Sequence, residues 1–182
     1  MKKFILIAST IACMAPMVWA DSLGVYGAYW DPKDADSDIG FGAVVRLPIS
    51  REMALQLRGS YFEFEERDGD ERSTLEVIPL EVGLIYYLAP PQDLRVYIGG
   101  GAGYYLMDLE WRTAEERLTP DVDNEFGWYL IGGFDMRITQ NVNLFAEAKY
   151  TFLEIKRIDG ISITGDNKLD GFGINAGLAI RW

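Results

Sequence analysis

The chain has 182 residues, a formal net charge of −11 and no histidine. Without imidazole, Ser–His catalysis, Cys–His pairs and histidine metal sites are excluded together, and so acidic a chain suits nucleic-acid phosphates poorly. The one cysteine, Cys13, falls in the first twenty residues, so the rest has no disulfide, thiol nucleophile or thiolate metal site.

Those twenty residues read as a leader. Lys2 and Lys3 form a positive start, 4–12 is a short apolar run, and Val18-Trp19-Ala20 precedes Asp21 as a peptidase site requires. We expect a signal peptide over 1–20 and one domain over 21–182. Two other readings of the leader exist. A retained anchor would need about 20 apolar residues. A lipoprotein cut before Cys13 would want a leucine where Thr10 stands. After the leader no 18-residue apolar stretch remains, so any membrane entry must be made by strands closed into a barrel, which leaves no edge unsatisfied in lipid.

Eight segments of period-two character follow, each about ten residues, the length a tilted strand needs to cross a bilayer. The first, 23–30, is mixed on both faces and has no clear register. In the second, 39–47, Phe41, Ala43, Val45 and Leu47 oppose Gly40, Gly42 and Arg46. In the third, 53–64, Met53, Leu55, Leu57 and Tyr61 oppose Gln56, Arg58 and Ser60. The fourth, 75–88, sets Ile78, Leu80, Val82, Leu84, Tyr86 and Leu88 against Pro79, Glu81 and Gly83. The fifth, 95–107, sets Val96, Ile98, Ala102, Tyr104 and Leu106 against Arg95, Tyr97, Gly99, Gly101, Gly103 and Tyr105. In the sixth, 126–137, Trp128, Leu130, Phe134 and Met136 oppose Tyr129, Gly133, Asp135 and Arg137. In the seventh, 143–154, Leu144, Ala146, Ala148, Tyr150 and Phe152 oppose Glu147, Lys149 and Thr151. The eighth, 171–182, sets Phe172, Ile174, Ala176, Leu178, Ile180 and Trp182 against Gly173, Asn175, Gly177 and Arg181.

The connections 48–52, 89–94 and 138–142 are short, whereas 31–38, 65–74, 108–125 and 155–169 are longer. Short turns at one end and long loops at the other are the pattern of bacterial outer-membrane barrels, with the short set periplasmic. An even strand count puts both termini there too.

A soluble eight-stranded barrel also alternates, with its apolar side turned in. Here one face is nearly uniformly aliphatic and gathers aromatics near strand ends (Tyr86, Tyr104, Trp128, Tyr150, Phe152, Trp182), as a lipid-facing wall does. The other face carries glycine and charge. The expected fold is an all-β, eight-stranded, antiparallel, up-and-down transmembrane barrel. Gly99, Gly101 and Gly103 read as wall positions making room for large neighbours inside; a phosphate loop would need a helix after them.

These residues resemble the small outer-membrane barrel superfamily: OmpA transmembrane domains, OmpX-like proteins and opacity-type surface antigens. The resemblance spans nearly all of 21–182 and rests on three stretches: 79–88 (PLEVGLIYYL), 97–104 (YIGGGAGY), and 127–150 with its GW, GGF and LFAEAKY elements. The C-terminal Asn175, Gly177, Ile180 and Trp182 resemble the signal read by the barrel-assembly machinery, with Trp182 where the family usually ends in Phe. The resemblance implies localisation in the outer membrane of a Gram-negative bacterium, with membrane lipid, lipopolysaccharide and the assembly machinery as partners, and no cofactor. Relatives that modify lipid A use histidine, which this chain lacks, so no catalytic or metal residue carries over.

The inward charges Arg58, Glu81, Asp135, Glu147 and Lys149 are expected to pair as a lumen network. Arg46, Arg95, Arg137 and Arg181 lie beside short turns or the terminus and are expected at the periplasmic end, ringing the mouth or reaching water. Three of the long connections are acidic; Asp31, Asp34, Asp36 and Asp38 lack calcium-loop spacing. Alternation around 62–64 and 161–164 runs past membrane length, so hairpins are expected to protrude and offer an edge to an extracellular protein partner. The function expected is non-enzymatic, structural or adhesive; a narrow channel is the other reading.

Overall fold

The computed structural model describes residues 20–33, 37–68, 71–88, 93–112, 117–118, 124–153, 157–158, 161–162 and 169–182. The leader up to residue 19 lies outside them, as do Asp34, Asp36 and 163–164. Eight long strands form β1 (Ser22–Pro32), β2 (Asp38–Pro48), β3 (Met53–Asp68), β4 (Glu71–Tyr87), β5 (Leu94–Arg112), β6 (Glu125–Arg137), β7 (Val142–Phe152) and β8 (Gly171–Arg181). Each pairs antiparallel with its sequence neighbour, and β1 pairs with β8 from Ser22↔Arg181 to Pro32↔Gly171, closing the barrel. The closed section is about eleven residues deep, the length of β1, β2, β7 and β8, which matches a tilted membrane crossing.

Alternation decides the faces. In β1 the inward positions are Ser22, Gly24, Tyr26, Ala28, Trp30 and Pro32, in strict alternation with exposed ones. This strand looks mixed in sequence because two of its three aromatics, Tyr26 and Trp30, point inward and pack there, while Tyr29 faces outward. On the other strands every apolar face named above points outward. Val25, Phe41, Ile98, Phe126, Trp128, Leu130 and Ile180 are each more than half exposed. In water, so continuous an apolar wall would be an aggregation surface; against hydrocarbon it is the required one. No helix among the described residues is long and apolar enough to cross a membrane; the strands do the crossing.

One end carries the short turns. Ser50 caps the turn before β3 by accepting the Glu52 and Met53 amides, and Thr139 does the same for Asn141 and Val142. Both strand termini sit there, tied by Arg181 Nη2 donating to Asp21 Oδ1 at 2.9 Å and Asn141 Nδ2 donating to the Arg181 carbonyl. At the opposite end β3, β4 and β5 run to 16, 17 and 19 residues. Pairing of β2 with β3 ends at Phe41↔Tyr61, and of β5 with β6 at Tyr105↔Glu125. The stretches Glu65–Asp68, Glu71–Thr74 and Asp108–Arg112, expected as loop from their charge, are therefore strand, because they pair with one another across β3–β4–β5. Seven residues of β3 past Tyr61, at about 3.3 Å each, lift this sheet some 20 Å beyond the barrel. A two-residue strand, Arg117–Leu118, pairs with the end of β5, and Arg157–Ile158 pairs with Ile161–Ser162.

Candidate functional site

The barrel interior is layered. Nearest the projecting sheet is an aromatic layer. Trp30 packs edge-on against Phe62 and Phe64, with ring centroids 5.3 and 5.7 Å away, and lies 6.3 Å from Tyr105. Val77, Met107, Leu153 and Leu169 join the same buried cluster. The apolar inner face of the projecting sheet thus folds over the lumen, while Glu63 and Asp108, exposed in one cross-strand row with Glu76, remain on the outer face.

Below it lies a belt of charge. Glu147 of β7 is its hub. Arg58 Nη2 donates to both carboxylate oxygens, at 2.8 and 3.1 Å. Tyr97 OH donates at 2.7 Å, Gln56 Nε2 at 3.2 Å, Asn175 Nδ2 at 3.3 Å and Arg46 Nη2 at 3.3 Å. Glu81 of β4 takes Lys149 Nζ at 2.8 Å and Tyr105 OH at 2.9 Å, and its other oxygen lies 3.7 Å from Arg58 Nε. Asp135 of β6 takes Arg46 Nη1 at 2.6 Å, with Arg95 and the Tyr87 hydroxyl each at 3.3 Å. The three carboxylates are almost wholly buried, and buried charge is tolerable only with this density of donors.

Of the five residues singled out for a lumen network, the structure brings Arg58, Glu81, Glu147 and Lys149 into direct contact. Asp135 reaches them only through Arg46. The four arginines grouped at the periplasmic end separate. Arg46 is 3 % exposed and belongs to the belt. Its nearness to a turn suggested reaching water, but carboxylates from across the barrel capture it, and the Tyr97 and Phe145 rings flank its guanidinium at 5.1 Å each. Arg95 is part-buried, over the Tyr87 ring at 4.3 Å. Arg137 and Arg181 lie at the short-turn end, beside Asp93 at 3.9 Å and Asp21 at 2.9 Å respectively. Sequence reasoning missed the tyrosines, Gln56 and Asn175 as network members. The signal was available: each sits at an inward parity position on its strand.

Glycine sets how deep the belt can pack. The Tyr129 hydroxyl would collide with a Cβ on Gly83 and lies 2.8 Å from where one on Gly101 would stand. Among the described residues, Tyr129 OH, Gln56 Oε1 and Arg58 Nη1 are buried without a hydrogen-bond partner. Of the C-terminal residues, Asn175 is committed to Glu147, a Cβ on Gly177 would collide with the Val25 carbonyl, and Ile180 and Trp182 face outward.

The family model described as an outer membrane protein beta-barrel domain matches residues 4–181. The chain belongs to that family. It lies in the outer membrane of a Gram-negative bacterium, embedded through the apolar wall described above. OprG of Pseudomonas aeruginosa is similar with a TM-score of 0.69 and 18% identity, over 90% of this chain and 97% of that one. Neisserial surface protein A gives 0.67 and 12%, over 88% and 96%. Ail of Yersinia pestis, solved in complex with the heparin analogue sucrose octasulfate, gives 0.60 and 10%, over 91% and 100%. At such identities the likeness is one of fold. No curated protein matches the chain in sequence.

Proposed function

We propose that this outer-membrane barrel is a closed, non-enzymatic platform that displays the projecting β3–β4–β5 sheet at the cell surface for structural or adhesive contacts. The observation that carries this reading is the filled interior: the Trp30–Phe62–Phe64 layer meets the charge belt at Tyr105, which packs near Trp30 and donates to Glu81. An eight-stranded barrel encloses only enough room for side chains, and both layers use it. Residues 1–20 act as the export leader, and Asn175, Gly177, Ile180 and Trp182 as the assembly signal. Lipopolysaccharide surrounds the outer half of the wall. The Ail complex supports surface ligands as a use of this fold, although the exposed Glu63 and Asp108 here would repel a polyanion like the one Ail holds.

A narrow channel is favoured by one observation, the unpartnered polar atoms Tyr129 OH, Gln56 Oε1 and Arg58 Nη1, which could be bridged by isolated waters. A conducting path would have to continue through the aromatic layer. Planar-bilayer recording on the refolded protein is the test. A closed platform gives no stable unitary steps; reproducible steps of fixed size would establish the channel.

A further inference from the structure

Across part of the outer wall the large side chains frame an open apolar trough. It lies across β3–β6 in the half nearest the short turns, encloses about 420 Å³, and is lined by Met53, Leu84, Tyr86, Ile98, Gly99 and Leu130. Two adjacent cross-strand rows explain it: Leu84↔Gly100↔Leu130 and Tyr86↔Ile98↔Gly132. Each row has one outward glycine, and a Cβ on Gly132 would meet nothing within 4 Å. Between Leu84 and Leu130, where Gly100 has no side chain, the wall is one side chain lower than at those two leucines.

A hollow in hydrocarbon admits no water, and atoms facing a void forfeit their dispersion contacts. Its lining is apolar, so its occupant comes from the membrane. The turn that feeds Met53 carries Arg51, which is exposed and, among the described residues, makes no ion pair or side-chain hydrogen bond. Tyr86 stands beside Met53, its cross-strand partner, at the same rim, where an amphipathic ring favours the headgroup level. The short-turn end faces the periplasm, and that leaflet of the outer membrane is phospholipid. We propose that this trough holds one acyl chain of a periplasmic-leaflet phospholipid whose phosphate is taken by Arg51.

The test is a titration of the refolded protein in alkyl maltoside micelles, with leucine and isoleucine methyls labelled for NMR. The probes are dimyristoylphosphatidylglycerol and, as its phosphate-free counterpart, dimyristoylglycerol. The site predicts saturable shifts at Leu84, Ile98 and Leu130 while Leu144 and Leu178, outside the trough on β7 and β8, stay still. Ile98→Trp, at an outward position 52% exposed, fills the trough and abolishes the shifts without disturbing the lumen. Arg51→Glu weakens phosphatidylglycerol at least tenfold and leaves dimyristoylglycerol unchanged. Shifts that fail to saturate, or that reach Leu144 and Leu178 equally, would mean ordinary annular lipid and overturn the proposal. Unchanged phospholipid affinity in Arg51→Glu would do the same.

Discussion

The middle of the lumen and its short-turn rim use the same ions to different ends. At the rim, Arg137 and Asp93 stand 3.9 Å apart, with side chains 46% and 87% exposed. In the belt, Glu147 and Arg58 stand 2.8 Å apart with almost no exposure. Exposed pairs contribute between nothing and about 1 kcal/mol, because water solvates either partner alone. A buried pair behaves otherwise. Its net contribution is modest, yet removing one partner strands the other in a low-dielectric interior. Losing one partner in the belt is therefore costly, and losing one at the rim is not.

Substitutions graded from belt to rim break this contrast in order. Glu147→Ala leaves Arg46 and Arg58 each short of a carboxylate and should cost about 3–5 kcal/mol, read as the urea midpoint of the gel-mobility difference between unboiled and boiled samples. Glu81→Ala should cost somewhat less, because Arg58 keeps Glu147 while Lys149 loses its anion; an unchanged midpoint would refute the network. Gly101→Ala, whose Cβ collides with the Val82 carbonyl, should cost about 1–3 kcal/mol as overpacking does, whereas Gly132→Ala on the open outer wall should be neutral. Asp93→Asn should stay within about 0.5 kcal/mol.

Much of this was legible in the sequence, and for a physical reason. A wall between lipid and a crowded interior forces period two on every strand it can. Parity alone thus placed Arg58, Glu81, Glu147 and Lys149 inside. It could not say how deep a residue sits. Arg46 lies two residues from the end of β2, and only the carboxylates brought from β6 and β7 reveal that it is held in the belt. β1 resisted because lumen aromatics and lipid-facing aromatics share one chemistry; Trp30 and Tyr29 differ in environment, not in type. The projecting sheet resisted because charged residues such as Glu65, Glu66 and Asp108 read as loop, and their strand state comes from pairing with Thr74, Ser73 and Glu76 of β4.

The most direct test of a closed lumen exploits the absence of cysteine from 21–182. Ser60→Cys places one thiol on the inner wall at a position 6% exposed, one residue from the outward Tyr61. The folded protein in lipid vesicles is treated with a membrane-impermeant maleimide from both sides and then again after unfolding. A filled interior predicts no labelling until the barrel is unfolded. Full labelling of the folded barrel would contradict it and show that water and solutes reach the belt.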